Sequence, residues 1–519
     1  MHIESSLPGS HGLGEVAMSD HAAYVIVDLG YGDAGKGSLV DALTARTGAR
    51  LNVRFNGGGQ AAHNVVLPDG RHHTFSQFGS GMFDPCVKTY LSRHFLWNPI
   101  AMQAEAESLD AEIAKDENGL PAGKVMSRTF VDKAALVVTP WHQAMNRLRE
   151  FARDGGRHGD CGRDGGRHGS CGVGIGEAML EARDRPYLSL RAGDLLDWTV
   201  EKLRWHLEEV AEDNLAIWSR LYREYYQDAK IPDFILKDYD FLFTKDAPLK
   251  CAALFSRIAA ATPMVDGAAE QGKLFDDTED VIFEGAQGIL IDERHGFDPH
   301  TTWSTCTSRN ARQILKEIGW QGHTKVVGAL RAYAVRHGAG PFVTEDHYMQ
   351  FMDEHNHFND WQGQPRFGWF DAVASHYAMR AEWESSFDYA HYNSPPGIHA
   401  LAITNLDRMH RLNHAGIPWR ICTGYEWEGC GPLVFEPGCF SPIESRIAGL
   451  PTGMTAALFQ AGPVYGRTGN TDDGDDLLAA IEGLLRCPIE IVSQGPTKDD
   501  KSWSGSLDSC HEPHNRRGP

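Results

Sequence analysis

Residues 30–38 read GYGDAGKGS, directly after an apolar run rich in β-branched residues. Gly30, Gly32, Gly35 and Gly37 let backbone N–H groups approach phosphate oxygens closely, and Lys36 adds a point charge. A helix starting here would offer its positive end to the same anion. The loop resembles a Walker A segment but carries Gly37 where Ser or Thr should follow the lysine. Asp33 is the unusual member. A carboxylate inside a phosphate cradle repels the ligand unless Mg2+ lies between them, or unless it is wanted as a base.

Residues 53–66, VRFNGGGQAAHNVV, bring three consecutive glycines and His63. Alone, His63 reads as structural; set opposite Asp33, the two make an acid and a base around one phosphoryl transfer. Gln287 stands between glycines in FEGAQG (283–288), where an amide can donate to and accept from a heterocycle edge. RHGAGPFVTE (336–345) is a small-residue loop that serves equally as a plain Gly-Pro turn. Asp407 in NLD (405–407) either caps a helix or accepts from the ring N–H and exocyclic amine of guanine, a pair that adenine lacks.

These segments need a common scaffold. Five runs read as buried strands: 24–29 (YVIVDL), 281–284 (VIFE), 325–330 (KVVGAL), 401–404 (LAIT) and 489–493 (IEIVS). Each leads into a polar or glycine-rich segment. Ligands of open parallel sheets bind beyond the carboxyl ends of the strands, so the five segments should converge on one site. Helical patterns at 195–226 and 369–383 lie between them. The expected fold is α/β: a large, mostly parallel sheet flanked by helices, P-loop-like. Residues 1–20 are expected to form a disordered leader, 21–498 one folded unit and 499–519 a loose polar tail, with Met18 an alternative start.

Lys plus Arg number 49 against 70 Asp plus Glu, a net charge of −21 that argues against a general nucleic-acid or anionic-membrane binder. Any phosphate must be gripped locally. There is no apolar run of spanning length and no signal-peptide profile at MHIESSLPGSHG, so a cytoplasmic protein is expected. Ten cysteines are too few for a disulfide scaffold. A tandem repeat, RDGGRHGDCG then RDGGRHGSCG (153–172), contains two H-x-x-C pairs. It reads as a duplicated loop whose second copy serves the site, with a four-ligand zinc site as the alternative.

Taken in order, several motifs resemble the adenylosuccinate synthetase family. They are GDAGKG (32–37), GGGQAAHNVV (57–66), GIG (174–176), FEGAQG, RHGAGPFVTE, GQPRFGWFDAV (363–373), LD (406–407) and SQGP (493–496). The resemblance spans most of 23–498. It implies a GTP-dependent C–N ligase that joins L-aspartate to the 6-position of IMP through a 6-phosphoryl intermediate, with Mg2+, as a homodimer.

Site roles follow by resemblance. Asp33 would take the purine ring proton and ligate Mg2+, with Ala62 a second metal position, and His63 would act as the γ-phosphoryl group leaves GDP. Gly32, Gly35, Lys36 and Gly37 would hold the nucleotide phosphates, Asp407 would read guanine, and Ser493 and Gly495 would border its pocket. Gln287, counted with Asp33, His63 and Lys36 among the catalytic residues, would contact the base of the monophosphate, and Gln60 would bind the same nucleotide. Ser170 or Cys171 would hold its phosphate, with Arg185 or nearby Arg183 reaching it from the second subunit. Arg366 and Gln364 would face the amino acid.

Several positions depart from the family pattern. GQAAH (59–63) replaces HNAGH, Asn405 replaces a basic residue, Gln364 replaces an arginine, and Trp361 and Gln362 stand where small hydroxyl residues are usual. A phage-type branch of the family uses dGMP and typically replaces the active-site aspartate, which is kept here as Asp33. A relative using another purine nucleotide or another amino acid stays open. So does a GTPase or nucleotide-binding regulator without a ligation step.

Overall fold

The computed structural model describes residues 21–116, 124–153, 170–225, 233–276, 278–349, 362–390, 394–428, 431–434, 453–469 and 474–505. The expected leader, most of the tandem repeat with every H-x-x-C residue but Cys171, and residues beyond 505 lie outside these.

In chain order the strands are β1 (Ala22–Asp28), β2 (Leu51–Arg54), β3 (His63–Val66), β4 (His72–Phe75), β5 (Lys88–Leu91), β6 (Thr129–Asp132), β7 (Met264–Val265), β8 (Val281–Glu284) and β9 (His323–Arg331). There follow β10 (Ala334–Arg336), β11 (Arg366–Gly368), β12 (Phe370–Asp371), β13 (Ala400–Thr404), β14 (Trp419–Trp427), β15 (Gly431–Val434), β16 (Gly462–Gly469), β17 (Ile489–Ser493) and β18 (Lys501–Trp503). Ten of them form one sheet, ordered β18-β17-β13-β9-β1-β8-β2-β5-β6-β7. Every pairing in it is parallel except β17 with β18.

β1 lies near the middle, and its apolar run is what a strand covered on both faces requires. Val25 and Val27 point into one core with Val281 and Phe283 of β8. Tyr24 and Ile26 point into another with Leu39, Val40 and Leu43 of helix α1 (Lys36–Thr47). Each such aliphatic side chain contributes roughly 1.5–3 kcal/mol on burial. This packing pins the start of α1 against the carboxyl end of β1.

All five expected strands form. The helical pattern at 195–226 instead splits in two. After α2 (Pro99–Ile113), α3 (Pro140–Arg153) and α4 (Ile175–Asp184), the short α5 (Ala192–Asp197) stops at extended Trp198. The Thr199 hydroxyl then accepts from Lys202 N (3.2 Å), capping α6 (Val200–Tyr225). The pattern at 369–383 begins as β12, where Asp371 accepts from Ala374 N (3.0 Å) and launches the helix Ala372–Ser386.

The tail departs from expectation in its first part. Lys501–Trp503 pair with β17, and the Arg46 guanidinium lies 4.9 Å from the Trp503 ring centre. Thr497 and Asp500 cap each other at the turn into β18, so polar composition there builds a turn and does not loosen the chain. No helix among the described residues is long and apolar enough to cross a membrane.

Candidate active site

The loop after β1 is organised by Asp28, the last residue of that strand. Its carboxylate accepts from Gly30 N (2.9 Å), Ala34 N (2.9 Å) and the Lys36 ammonium (2.7 Å). Lys36 is buried, so its charge is anchored beneath the loop by Asp28 and is not an open point charge. α1 begins at Lys36 after left-handed Gly35, with no side chain capping its N-terminus. Its first N–H groups are therefore available to an anion. A Cβ on Gly37 would stand 2.8 Å from the Cβ of His63, so the Walker-type hydroxyl residue is absent because His63 occupies its place.

His63 opens β3 and is buried. Its Nδ1 donates to Glu284, the last residue of β8, whose carboxylate also accepts from Ser80 N (2.8 Å) and Ser80 Oγ (2.5 Å). Burial pushes Glu284 up, but the Arg54 charge and the bonds from His63 and Ser80 outweigh it and hold the carboxyl down at about 2. Burial lowers the His63 imidazole below its ordinary value against the pull of Glu284. The resting ring is thus neutral, with its proton on Nδ1 and Nε2 left for chemistry.

Two of the three glycines before His63 are required by close approach: Cβ atoms on Gly57 and Gly58 would fall 2.7 Å from Ala286 Cβ and 2.8 Å from Leu96 O, whereas one on Gly59 would meet only the movable end of Gln77. Asn56 locks this segment to the loop after β8, accepting from Ala286 N (2.7 Å) and donating to Ala286 O (3.0 Å). Gln60 Nε2 then reaches Gln287 Oε1 (3.4 Å), bringing the two expected base-contacting amides together.

Asp33 has φ 62, a left-handed conformation rare for a residue with a side chain, and Gln287 (φ 63) and Asn405 (φ 57) share it. All three follow carboxyl ends of central strands, a concentration of backbone strain typical of functional sites. The His337 imidazole lies 2.7 Å from Asp33 Oδ2, and Arg331 Nε donates to the Asp33 carbonyl (2.5 Å). Desolvation works to raise the Asp33 carboxyl, but the charges of His337, Arg331 and Lys36 hold it well below the usual carboxylate range. Asp33 is ionised and 41% exposed at the loop's mouth, with exposed Ala62 next to His63. The Asp33 carboxylate is a hard oxygen donor of the kind that Mg2+ takes. No cluster of three or more His, Cys, Asp or Glu able to hold a metal ion occurs among the described residues.

Two strands from β1 at the same edge of the sheet, Thr404 of β13 donates to Ala34 O (3.0 Å), joining the 405–407 turn to the phosphate loop. Asp407 lies in the first turn of the helix Leu406–His414, 3.4 Å from Arg408 Nε. Ser493 Oγ donates to Gly495 O (3.1 Å), and the buried Lys501 ammonium donates to Gly495 O (2.9 Å) and Thr497 O (2.8 Å). Burial lowers Lys501 to about 8 despite neighbouring Asp500, Asp41 and Asp407.

Towards α4, Asn146 Nδ2 donates to Ser170 Oγ (2.8 Å) and Asn146 Oδ1 accepts from Gly174 N (3.2 Å). This holds residues 170–174 at an α4 N-terminus that also lacks a side-chain cap. Burial raises the Cys171 thiol to about 11, so it is not a reactive thiolate.

Three of the expected site arginines, Arg366, Arg185 and Arg183, have side-chain partners within the chain. Arg366 is part-buried. Its guanidinium already forks onto Glu345 (3.1 and 2.7 Å) and donates to Gly338 O (3.2 Å) and Gly340 O (2.8 Å). Gln364 beside it is exposed. Arg185 is paired with Asp213 of α6 in its own chain, and Arg183 pairs with Asp184. The sequence reading missed Asp28, Glu284, His337, Asn146 and Lys501. Asp28 and Glu284 did carry a signal, each being the one charged residue closing an otherwise apolar strand.

An anion cradle, an ionised carboxylate and a carboxylate-bound imidazole thus lie at the carboxyl edge of this mostly parallel α/β sheet, the arrangement of an α/β enzyme site. The family model for adenylosuccinate synthetase matches residues 25–502. The chain is similar to adenylosuccinate synthetases of Photobacterium profundum, at 29% identity, and Alkalilimnicola ehrlichii, at 30%; each match covers 92% of this chain and 96% of the relative. The fold is similar to that of the fully ligated Plasmodium falciparum adenylosuccinate synthetase, with TM-score 0.70 and 19% identity over 94% of this chain and all of that one. It is also similar to cyanophage S-2L succinoaminodeoxyadenylate synthetase bound to dGMP and to dATP as energy donor, with TM-score 0.53 and 16% identity over 94% and 97%. This chain belongs to the adenylosuccinate synthetase family and is a ligase.

Proposed function

We propose that this ligase joins L-aspartate to the 6-position of IMP at the expense of GTP, with Mg2+, forming adenylosuccinate, GDP and phosphate. One observation carries the reading: Asp33 lies within, and His63 packs directly onto, the same phosphate loop. Oxide cannot leave the purine 6-position, so the oxygen must first be phosphorylated. Asp33 takes the ring N–H proton as O6 attacks the γ-phosphorus, which spares a carboxylate of low basicity from carrying an isolated proton transfer. Neutral His63 meets the arriving phosphate through Nε2. The added negative charge raises its proton affinity, so the ring can hold a proton against the oxygen from which phosphorus departs. Asp33 would hold Mg2+, which would supply charge neutralisation at the phosphates. Gln60 and Gln287 contact the purine, residues 170–174 hold its phosphate, and Asp407 with residues 493–497 holds guanine.

The locked Arg366 favours a second reading of the amino-acid partner alone: a smaller or less acidic amino acid in place of aspartate. Both are tested by incubating the chain with GTP, Mg2+, either IMP or dGMP, and an equimolar pool of amino acids, then identifying products by mass spectrometry. Adenylosuccinate as the dominant product supports the proposal. A product carrying another amino acid moves the assignment, and phosphate release without either co-substrate refutes ligation. A homodimer belongs to the same reading and is checked by sedimentation equilibrium.

A further inference from the structure

We infer that His337 is a positioning residue for Asp33, holding its carboxylate with one oxygen turned towards the reacting nucleotides; this deepens the role given to Asp33 above. The contrast with Asp28 shows the need. Asp28 is fixed by two backbone N–H groups and a buried lysine. Asp33, in the same loop, rests among the described residues on one side chain: His337 Nε2 donates to Oδ2 at 2.7 Å, leaving Oδ1 for chemistry. An aspartate at the mouth of a glycine-rich loop otherwise samples several rotamers.

The backbone just before the imidazole is anchored. β10 pairs with β11, and Arg336, buried beside His337, donates to Ala339 O (3.1 and 2.8 Å) and Pro341 O (3.0 Å). The Arg336 guanidinium also lies 4.4 Å from the centre of the Tyr31 ring. Residues 336 and 337 thus touch residues 31 and 33 by two neighbouring contacts. Arg331, ending β9, grips the Asp33 carbonyl as a third. The Asp33–His337 pair is itself partly exposed, at 41% and 21%, and such pairs add little to folding stability. Its effect falls on orientation.

The test compares His337→Leu, which removes the donor, with His337→Gln, which keeps one. Two readouts are taken for each: kcat and KM of the full reaction, and the Mg2+ concentration needed for half-maximal GDP binding by calorimetry, which requires no turnover. Losing an orienting partner of a metal-ligating carboxylate typically costs about 10–100-fold. The Leu variant should therefore lose about that factor in kcat, with KM for GTP and IMP within about twofold, and should need roughly tenfold more Mg2+. The Gln variant should recover most of both. If the Leu variant does not fold, His337→Asn, whose shorter amide cannot span the gap, replaces it. Unchanged kcat and unchanged Mg2+ requirement on removing the donor overturn the inference, as does a Gln variant as impaired as Leu. Failure of the parent chain to make adenylosuccinate bears only on the substrate reading, because the GDP arm still reports on the pair.

Discussion

Gly37 offers a sharp test of how the phosphate loop and His63 are fitted together. In Gly37→Ala the added methyl would lie 2.8 Å from His63 Cβ, 3.0 Å from His63 C and 3.1 Å from Asn64 O. Ordinary contact begins at 3.4 Å, so about 0.6 Å must be found (3.4 − 2.8) against backbone and a Cβ, none of which can rotate away. Overpacking of this kind costs about 1–3 kcal/mol. The group that yields is His63, and a displacement of order 1 Å at a reacting group costs about 10²-fold in rate, so a drop of roughly 10–100-fold in kcat is expected. Gly37→Ser, which restores the Walker-type residue, should be as damaging. Gly272→Ala, in a helix with nothing within 4 Å of the new methyl, is the control and should melt no lower than the parent. Thermal melts and phosphate release with GTP, IMP and aspartate measure both effects. A Gly37→Ala protein with the parent's melting midpoint and kcat within about threefold would refute the packing argument.

Glu284→Gln keeps the shape but presents an amide to His63 Nδ1 and Ser80, which loses the preference for a proton on Nδ1; kcat should fall by at least about 10²-fold with little change in KM for GTP, and equal loss in both would reassign Glu284 to binding. Asp407→Asn should shift preference from GTP towards XTP, whose 2-oxo group accepts where guanine donates; competition kinetics with both nucleotides check it. Lys501→Met should raise KM for GTP and leave kcat largely intact, by freeing the carbonyls of Gly495 and Thr497. The same residue predicts a pH effect. Its amine falls from 10.5 to about 8 on folding, so between those values the unfolded chain binds more protons and stability rises with pH. The parent should gain about 3 kcal/mol relative to Lys501→Met across that window in denaturant unfolding, and parallel curves would show that Lys501 is not buried as described.

The strands were legible because their apolar runs answer to a sheet covered on both faces, and the phosphate loop because its glycines and lysine sit at fixed spacing. The partners that tune the site were not. Glu284 lies 221 residues from His63, and Arg331 lies 298 from Asp33, beyond any local pattern. His337 hid in a segment that also satisfies a Gly-Pro turn. Arg366 and Arg185 show the converse: a guanidinium recognised by type also has a partner, Glu345 or Asp213, that only the folded chain reveals. Lys501 was lost in a polar stretch whose charges close on their own backbone.

That last strand ties the 495–497 turn: both carbonyls are held by an ammonium carried on β18, so a chain stopped short of Lys501 would keep the loop after β1 and lose the tie beneath residues 495 and 497.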